Sequence, residues 1–122
     1  MNKILRNALA ILGFAAFLMI SCNEKRSGKP KVLVFTKTEG YHHASIADGV
    51  KAIQKLGAEN NFEVDTTSNS DKFTEDTLKQ YAAVIFLSTT GEVLDYRQQA
   101  DFQRYIQAGG GYVGIHAATD CE

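Results

Sequence analysis

The composition lacks the features of several protein classes. Two cysteines, Cys22 and Cys121, occur in 122 residues and stand far apart, so no disulfide framework is implied. Lys and Arg number 13 against 14 Asp and Glu, which gives a formal net charge of −1. Because there is no basic excess to hold a phosphate backbone, we expect no nucleic-acid partner.

Long apolar runs are also missing, and the one run present is too short for a comfortable membrane span. It covers residues 8–20, has no acidic residue, and follows Lys3 and Arg6, which is the layout of a secretory signal. Met19-Ile20-Ser21-Cys22 resembles a lipobox, the motif whose cysteine is lipidated and becomes the new N-terminus. An uncleaved N-terminal anchor is the alternative interpretation.

These N-terminal features predict a lipoprotein with a tether. We expect a signal peptide over residues 1–21, lipidation of Cys22, and a polar tether over residues 22–30 that holds the only proline, Pro30. The lipid would be the membrane partner, and the location would be the bacterial envelope, on the periplasmic or outer-membrane face.

The remaining sequence alternates predicted strands with predicted helices. Apolar or β-forming runs predict strands over residues 32–35, 62–66, 83–87 and 112–115, of which all but the second are expected to be buried on both faces. Helical spacing predicts two apolar faces, Ile46-Val50-Ile53-Leu56 and Phe102-Tyr105-Ile106. This order predicts an α/β fold with a parallel sheet, which binds ligands at the carboxyl ends of its strands.

All three histidines fall just past predicted strands. His42 and His43 follow the first strand, and His116 follows the fourth. Gly114 to Ala118 has the spacing of a nucleophile elbow, in which a strand turns sharply into a helix and lifts the central residue clear of the sheet. There His116 can serve as base, acid or metal ligand, although an ordinary solvated or hydrogen-bonded histidine is the alternative.

Other residues in these loops are candidates for binding. Tyr41 offers a ring on which a sugar can stack, and Thr89, Thr90 and Gly91 form a polar turn after the third strand. Three histidines and a carboxylate can make a zinc site, so a divalent metal such as zinc stays open, with His43 and His116 as ligands. Against it, the side chains of adjacent residues such as His42 and His43 usually diverge.

Three blocks resemble the ThuA-like (trehalose utilisation) family. They are KVLVFTKTEGYHH from Lys31, VIFLSTTG from Val84 and YIQAGGGYVGIHAATD from Tyr105, in the family's order. The resemblance implies a flavodoxin-like three-layer sandwich related to class I glutamine amidotransferases. It also implies that His116 stands at the elbow where amidotransferases carry a cysteine.

The resemblance further implies a role on sugars. The partner would be trehalose or an oxidised glycoside, and the activity a glycoside-processing hydrolase or lyase with His43 and His116 as catalytic residues. His42 receives less weight, because many relatives have Arg there. The resemblance places the family's recurrent polar residues at Thr38, His43, Thr90, Gly91, His116 and Asp120. With Tyr41 and Thr89 from the loop chemistry, the predicted substrate-binding residues are Thr38, Tyr41, Thr89, Thr90, Gly91 and Asp120.

Family domains continue well beyond the part that this chain matches. The resemblance therefore implies that residues 31–122 are a partial domain, its N-terminal half, and we expect this chain to be inactive alone. A non-catalytic carbohydrate-binding accessory module and an inactive fragment are the alternative readings, because a fold does not fix a function.

Overall fold

Four parallel strands form the centre of the structure, a computed structural model that describes residues 28–121. They pair in the order β2-β1-β3-β4. The predicted α/β class with a parallel sheet is confirmed. The predicted signal peptide and the lipidated Cys22 lie outside the described residues. The strands are β1 (Lys31–Phe35), β2 (Glu63–Thr67), β3 (Ala83–Leu87) and β4 (Gly111–Ile115).

Three helices connect the strands, and their ends follow local sequence signals. The side chain of Thr74 accepts a hydrogen bond at the start of the second helix, and Asp95 forms a capping box at the start of the third. Within residues 28–121, no helix has the length and apolar character needed to cross a membrane. The helices are α1 (Ile46–Asn60), α2 (Glu75–Leu78) and α3 (Tyr96–Gln107).

The strands bury both faces of the sheet. Leu33, Phe35 and Phe86 point to one face, where α2 and α3 pack, whereas Val34 and Leu87 point to the other, where α1 packs. Alternate residues of a strand face opposite sides, so a continuous apolar run serves two cores. The result is the predicted three-layer sandwich.

The fourth strand differs from its prediction. Tyr112 and Val113 are each 46% exposed, although residues 112–115 were expected to be buried on both faces. The reason is that β4 lies at the edge of the described sheet, where it pairs with β3 alone. An apolar run indicates that a strand can be buried, but its neighbours decide whether it is.

Two predicted helix faces also need correction. Leu56 of α1 is exposed, because the face toward the sheet passes through Gly57, where a Cβ would come within 2.8 Å of Val64 Cγ2. Ile106 of α3 is exposed as well, because Tyr105 takes the buried position beside it. The other residues of both predicted faces are buried or half-buried, so the correction is confined to Leu56 and Ile106.

The strand order creates a switch point at the carboxyl ends of β1 and β3. The chain leaves β1 toward β2 on one side, then returns to build β3 and β4 on the other. Connections diverge at such a point and leave room for a ligand, as the rule for open α/β sheets states. The predicted site residues lie along this edge.

Candidate functional site

The loops after β1, β3 and β4 run side by side at the carboxyl edge. Isolated parallel bridges join Thr38 to Thr90 and Thr90 to Asp120. The amide of Glu39 donates to the carbonyl oxygen of Thr90 over 2.8 Å, and the amide of Gly91 donates to that of Asp120 over 2.8 Å. Site residues predicted from three separate loops are therefore held together by backbone contacts.

His43 and His116 meet at this edge, and we call them the imidazole pair. Their ring centroids are 4.5 Å apart, with the rings inclined at 69°. The ring of Tyr41 lies 4.8 Å from that of His43 and is inclined to it at 76°. His43 is half-buried, His116 is exposed, and Tyr41 is 72% exposed. The two predicted catalytic residues thus adjoin each other and an accessible aromatic ring.

The turn that carries His116 has the backbone expected of an elbow. Its φ is +58°, in the left-handed region that side chains other than glycine rarely adopt. At Gly114, a Cβ would lie 3.1 Å from Tyr112 Oη and 3.3 Å from Ala118 Cβ, so small residues allow the close approach. The elbow leads into a four-residue 3₁₀ turn, His116–Thr119, rather than into the predicted helix.

His42 takes a different direction from its neighbour. Its Nδ1 is hydrogen-bonded with Thr38 Oγ1 over 3.2 Å, and its side chain is exposed. The predicted divergence of the two adjacent histidines therefore holds. Thr38, predicted to bind substrate, is half-buried and in contact with His42.

The polar turn after β3 is buried rather than open. Thr89 and Thr90 are 0% and 3% exposed. The hydroxyl of Thr90 donates to the carbonyl oxygen of Tyr41 over 3.1 Å, and the hydroxyl oxygen of Thr89 accepts from Cys121 Sγ over 3.0 Å. Substrate binding by these two residues stays a prediction, and protein groups already occupy both hydroxyls.

Two further residues support this edge without having been predicted. Lys37 Nζ lies 2.8 Å from Glu39 Oε1 and donates to the carbonyl oxygen of Val93, which ties the β1 loop to the β3 loop. Cys121 packs against the core beneath Thr89. Burial raises the pKa of Tyr112, and Cys121 adds to that rise. The polar neighbours of Lys37 are only a weak sequence signal that it supports this edge. Nothing local in the sequence indicates the contact between Cys121 and Thr89.

The imidazole pair does not complete a metal site within residues 28–121. In that range no three His, Cys, Asp or Glu side chains are grouped so that they could hold an ion. A zinc site takes three or four protein ligands, and the pair offers two. The described residues therefore do not fit a resident zinc ion.

The imidazole pair does not line either of two concavities in the described surface. One, of about 410 Å³, opens at the carboxyl edge between Lys37, Asn69 and Glu92. The other, of about 520 Å³, lies at the opposite edge between Tyr81 and Arg104. Because His116 is exposed, the site is an open surface feature in this part of the chain.

Fold and site together define a flavodoxin-like α/β domain whose strand-to-turn elbow presents a histidine. Comparison with known families adds that the ThuA family model, described as trehalose utilisation, matches residues 31–122. The chain belongs to the ThuA family, as its three motif blocks predict. The description of the family model links the family, in general terms, to trehalose utilisation.

A solved structure agrees with this membership. A crystal structure described as that of a ThuA-like protein, from Bacteroides uniformis ATCC 8492, superposes with a TM-score of 0.62 at 26% identity. The match covers 80% of this chain and 40% of that one, so the chain spans less than half the length of this relative. Among curated proteins, no relative matches.

Proposed function

We propose that the domain acts on a carbohydrate, either trehalose or an oxidised glycoside, at the carboxyl edge of its sheet. The observation that carries the proposal is the imidazole pair, with ring centroids 4.5 Å apart, beside the exposed ring of Tyr41. The family's general role in trehalose utilisation supports the choice of sugar.

Two adjacent imidazoles suit proton transfer to and from a sugar. Histidine exchanges protons near neutral pH, so a neutral ring can take a proton while a protonated ring supplies one. On an oxidised glycoside, the base would remove the proton from the carbon between the ketone and the anomeric carbon. The acid would protonate the leaving glycosidic oxygen, giving an unsaturated keto-sugar and a free alcohol.

The ring of Tyr41 would supply the binding surface. Its exposure leaves an apolar surface against which the C–H groups of a pyranose can pack, while its hydroxyl remains in water. Since it also contacts His43, a sugar stacked there would lie next to the imidazole pair.

Turnover of a 3-keto-glycoside by the full chain tests this proposal. We expect His43→Ala and His116→Ala to lower the rate by about 100-fold to 10,000-fold, the usual contribution of a general acid or base. The matched control is His42→Ala, which removes the neighbouring imidazole bonded to Thr38 and should leave the rate nearly unchanged. Turnover that is measurable in wild type and equal in both variants would refute the proposal.

A non-catalytic carbohydrate-binding module is the second candidate, and the open position of His116 favours it. Calorimetric titration with trehalose and with a 3-keto-glycoside separates the two. Binding that Tyr41→Ala abolishes, with no product formed by wild type, would identify a binding module. Product formed by wild type but not by His116→Ala would identify the enzyme.

We also propose that the protein is anchored in the bacterial envelope through lipid on Cys22. Support comes from Lys3 and Arg6, the apolar run over residues 8–20 and the lipobox-like end of that run. Cells fed a labelled fatty acid should label the wild-type chain but not Cys22→Ser, with Cys121→Ser as the matched control. If the wild-type chain takes up no label, the proposed lipid anchor on Cys22 is refuted.

A further inference from the structure

We infer that Thr90 is a positioning residue that holds His43 against His116. The inference rests on the proposed function of the imidazole pair, which gives the positioning its purpose. It departs from the expectation that Thr90 contacts substrate, because its side chain is 3% exposed.

Thr90 makes three hydrogen bonds to consecutive residues of the β1 loop. Its carbonyl oxygen accepts from the amide of Glu39 over 2.8 Å and from that of Gly40 over 3.4 Å. Its hydroxyl donates to the carbonyl oxygen of Tyr41 over 3.1 Å. A single residue thus fixes the backbone just before His43.

Thr90 is equally tied to the turn that carries His116. It forms a parallel bridge with Asp120, where the amide of Gly91 donates to the Asp120 carbonyl oxygen over 2.8 Å. The amide of Asp120 in turn donates to the carbonyl oxygen of Ala117 over 2.9 Å, within the 3₁₀ turn that His116 begins. Thr90 therefore joins the two segments that bring the imidazoles together.

The hydroxyl bond matters because the β1 loop has little packing of its own. Glu39, Gly40, Tyr41 and His42 are all exposed. Thr90→Val keeps the shape of the side chain but removes the hydroxyl that donates to the Tyr41 carbonyl oxygen. Thr90→Ser keeps that donor. Loss of one neutral hydrogen bond of this kind corresponds to about a threefold to tenfold change in the equilibrium constant between the bonded and unbonded arrangements.

Nuclear Overhauser contacts between the two imidazole rings provide the test, using the full chain with labelled histidine in a mild detergent. We expect a cross-peak between the His43 and His116 rings in wild type and in Thr90→Ser, and a reproducible loss of its intensity in Thr90→Val. The matched control is Thr36→Val, since Thr36 Oγ1 also donates to a backbone carbonyl, that of Thr67 at the end of β2, over 3.5 Å. The control should keep the cross-peak.

The outcomes separate this inference from the proposed function. An unchanged cross-peak in Thr90→Val, or an equal loss in Thr36→Val, overturns the positioning role. If Thr90→Val does not melt cooperatively, Thr90→Ala is measured instead. A His43–His116 cross-peak as strong in Thr90→Ala as in Thr90→Ser then overturns the positioning role of Thr90. If wild type neither binds nor turns over a 3-keto-glycoside while the cross-peaks behave as expected, the proposed function fails and the positioning stands.

Discussion

Replacement of His116 by glycine and by alanine should reverse the usual stability order of these two residues. At most positions a protein with glycine is less stable than one with alanine by about 0.5–1 kcal/mol, because glycine loses more conformational entropy on folding. His116 has a φ of +58°, where an L-residue bears about 1–2 kcal/mol that glycine avoids. The difference leaves His116→Gly more stable than His116→Ala by about 0.5–1 kcal/mol.

The contact with His43 does not affect this comparison, because both variants lose the ring. For a domain near 100 residues, the expected difference corresponds to a Tm about 3–6 °C higher for His116→Gly. Thermal unfolding of the full chain in detergent, followed by circular dichroism, measures it. Neither variant should turn over a 3-keto-glycoside, so the glycine variant would separate stability from function.

Gln103 provides the matched control, since it is an exposed position in the interior of α3 with ordinary helical backbone. There alanine should be more stable than glycine by about 1 kcal/mol. If alanine is the more stable residue at both positions, the left-handed conformation of His116 does not store strain, and the reasoning about the elbow is refuted.

Three further predictions concern the fold that supports this edge. Burial, together with a hydrogen bond to the Asp65 carboxylate, raises the pKa of Tyr81 from 10.0 to about 12. This pKa shift stabilises the folded state fully below pH 10, and the stabilisation is lost as the pH rises to 12. Between pH 10 and pH 12, the free energy of unfolding in urea should therefore fall by up to about 2–3 kcal/mol more in wild type than in Tyr81→Phe. An equal fall in the two proteins would contradict the raised pKa of Tyr81. Gly91→Ala should cost about 1–2 kcal/mol in the same assay, because φ is +78° and the new Cβ would lie 3.1 Å from Glu39 Cβ. Gly40→Ala, with contacts of 3.4 Å or more, should cost less, and equal losses would contradict the backbone argument. Phe73→Ala should cost about 3–5 kcal/mol, since the ring is 0% exposed, and a loss under 1 kcal/mol would show that the core is loosely packed.

The strands were predicted from sequence because their signal is local, and helix starts carry signals of the same local kind. A strand buried on both faces needs a continuous apolar run, and β3 supplies one at residues 83–87. Thr74 and Asp95 cap helices through their own side chains, so their positions are visible within a few residues. The carboxyl edge followed from the rule for parallel sheets rather than from any residue in particular.

The contact between His43 and His116 was not accessible in the same way. It depends on the path of an exposed loop, and hydrogen bonds between residues far apart in sequence set that path. Local pattern also did not indicate the burial of Thr89 and Thr90, because a polar turn on the surface and a buried turn with internal hydrogen bonds have the same composition. The exposure of Val113 was missed for a related reason, since burial depends on the neighbours of an edge strand.

The topology explains why the buried turn after β3 and the exposed imidazole pair belong together. β1 and β4 are separated by β3, so their ends lie about 10 Å apart at the usual spacing of strands. For His43 to touch His116, the loop after β1 must pass over the end of β3. Ser88, Thr89 and Thr90 are at most 3% exposed, and their small side chains let that loop pass close to the sheet. A large side chain at Thr90 would lift the loop and part the rings. We therefore expect this turn to influence a bound sugar through the imidazole pair that it supports.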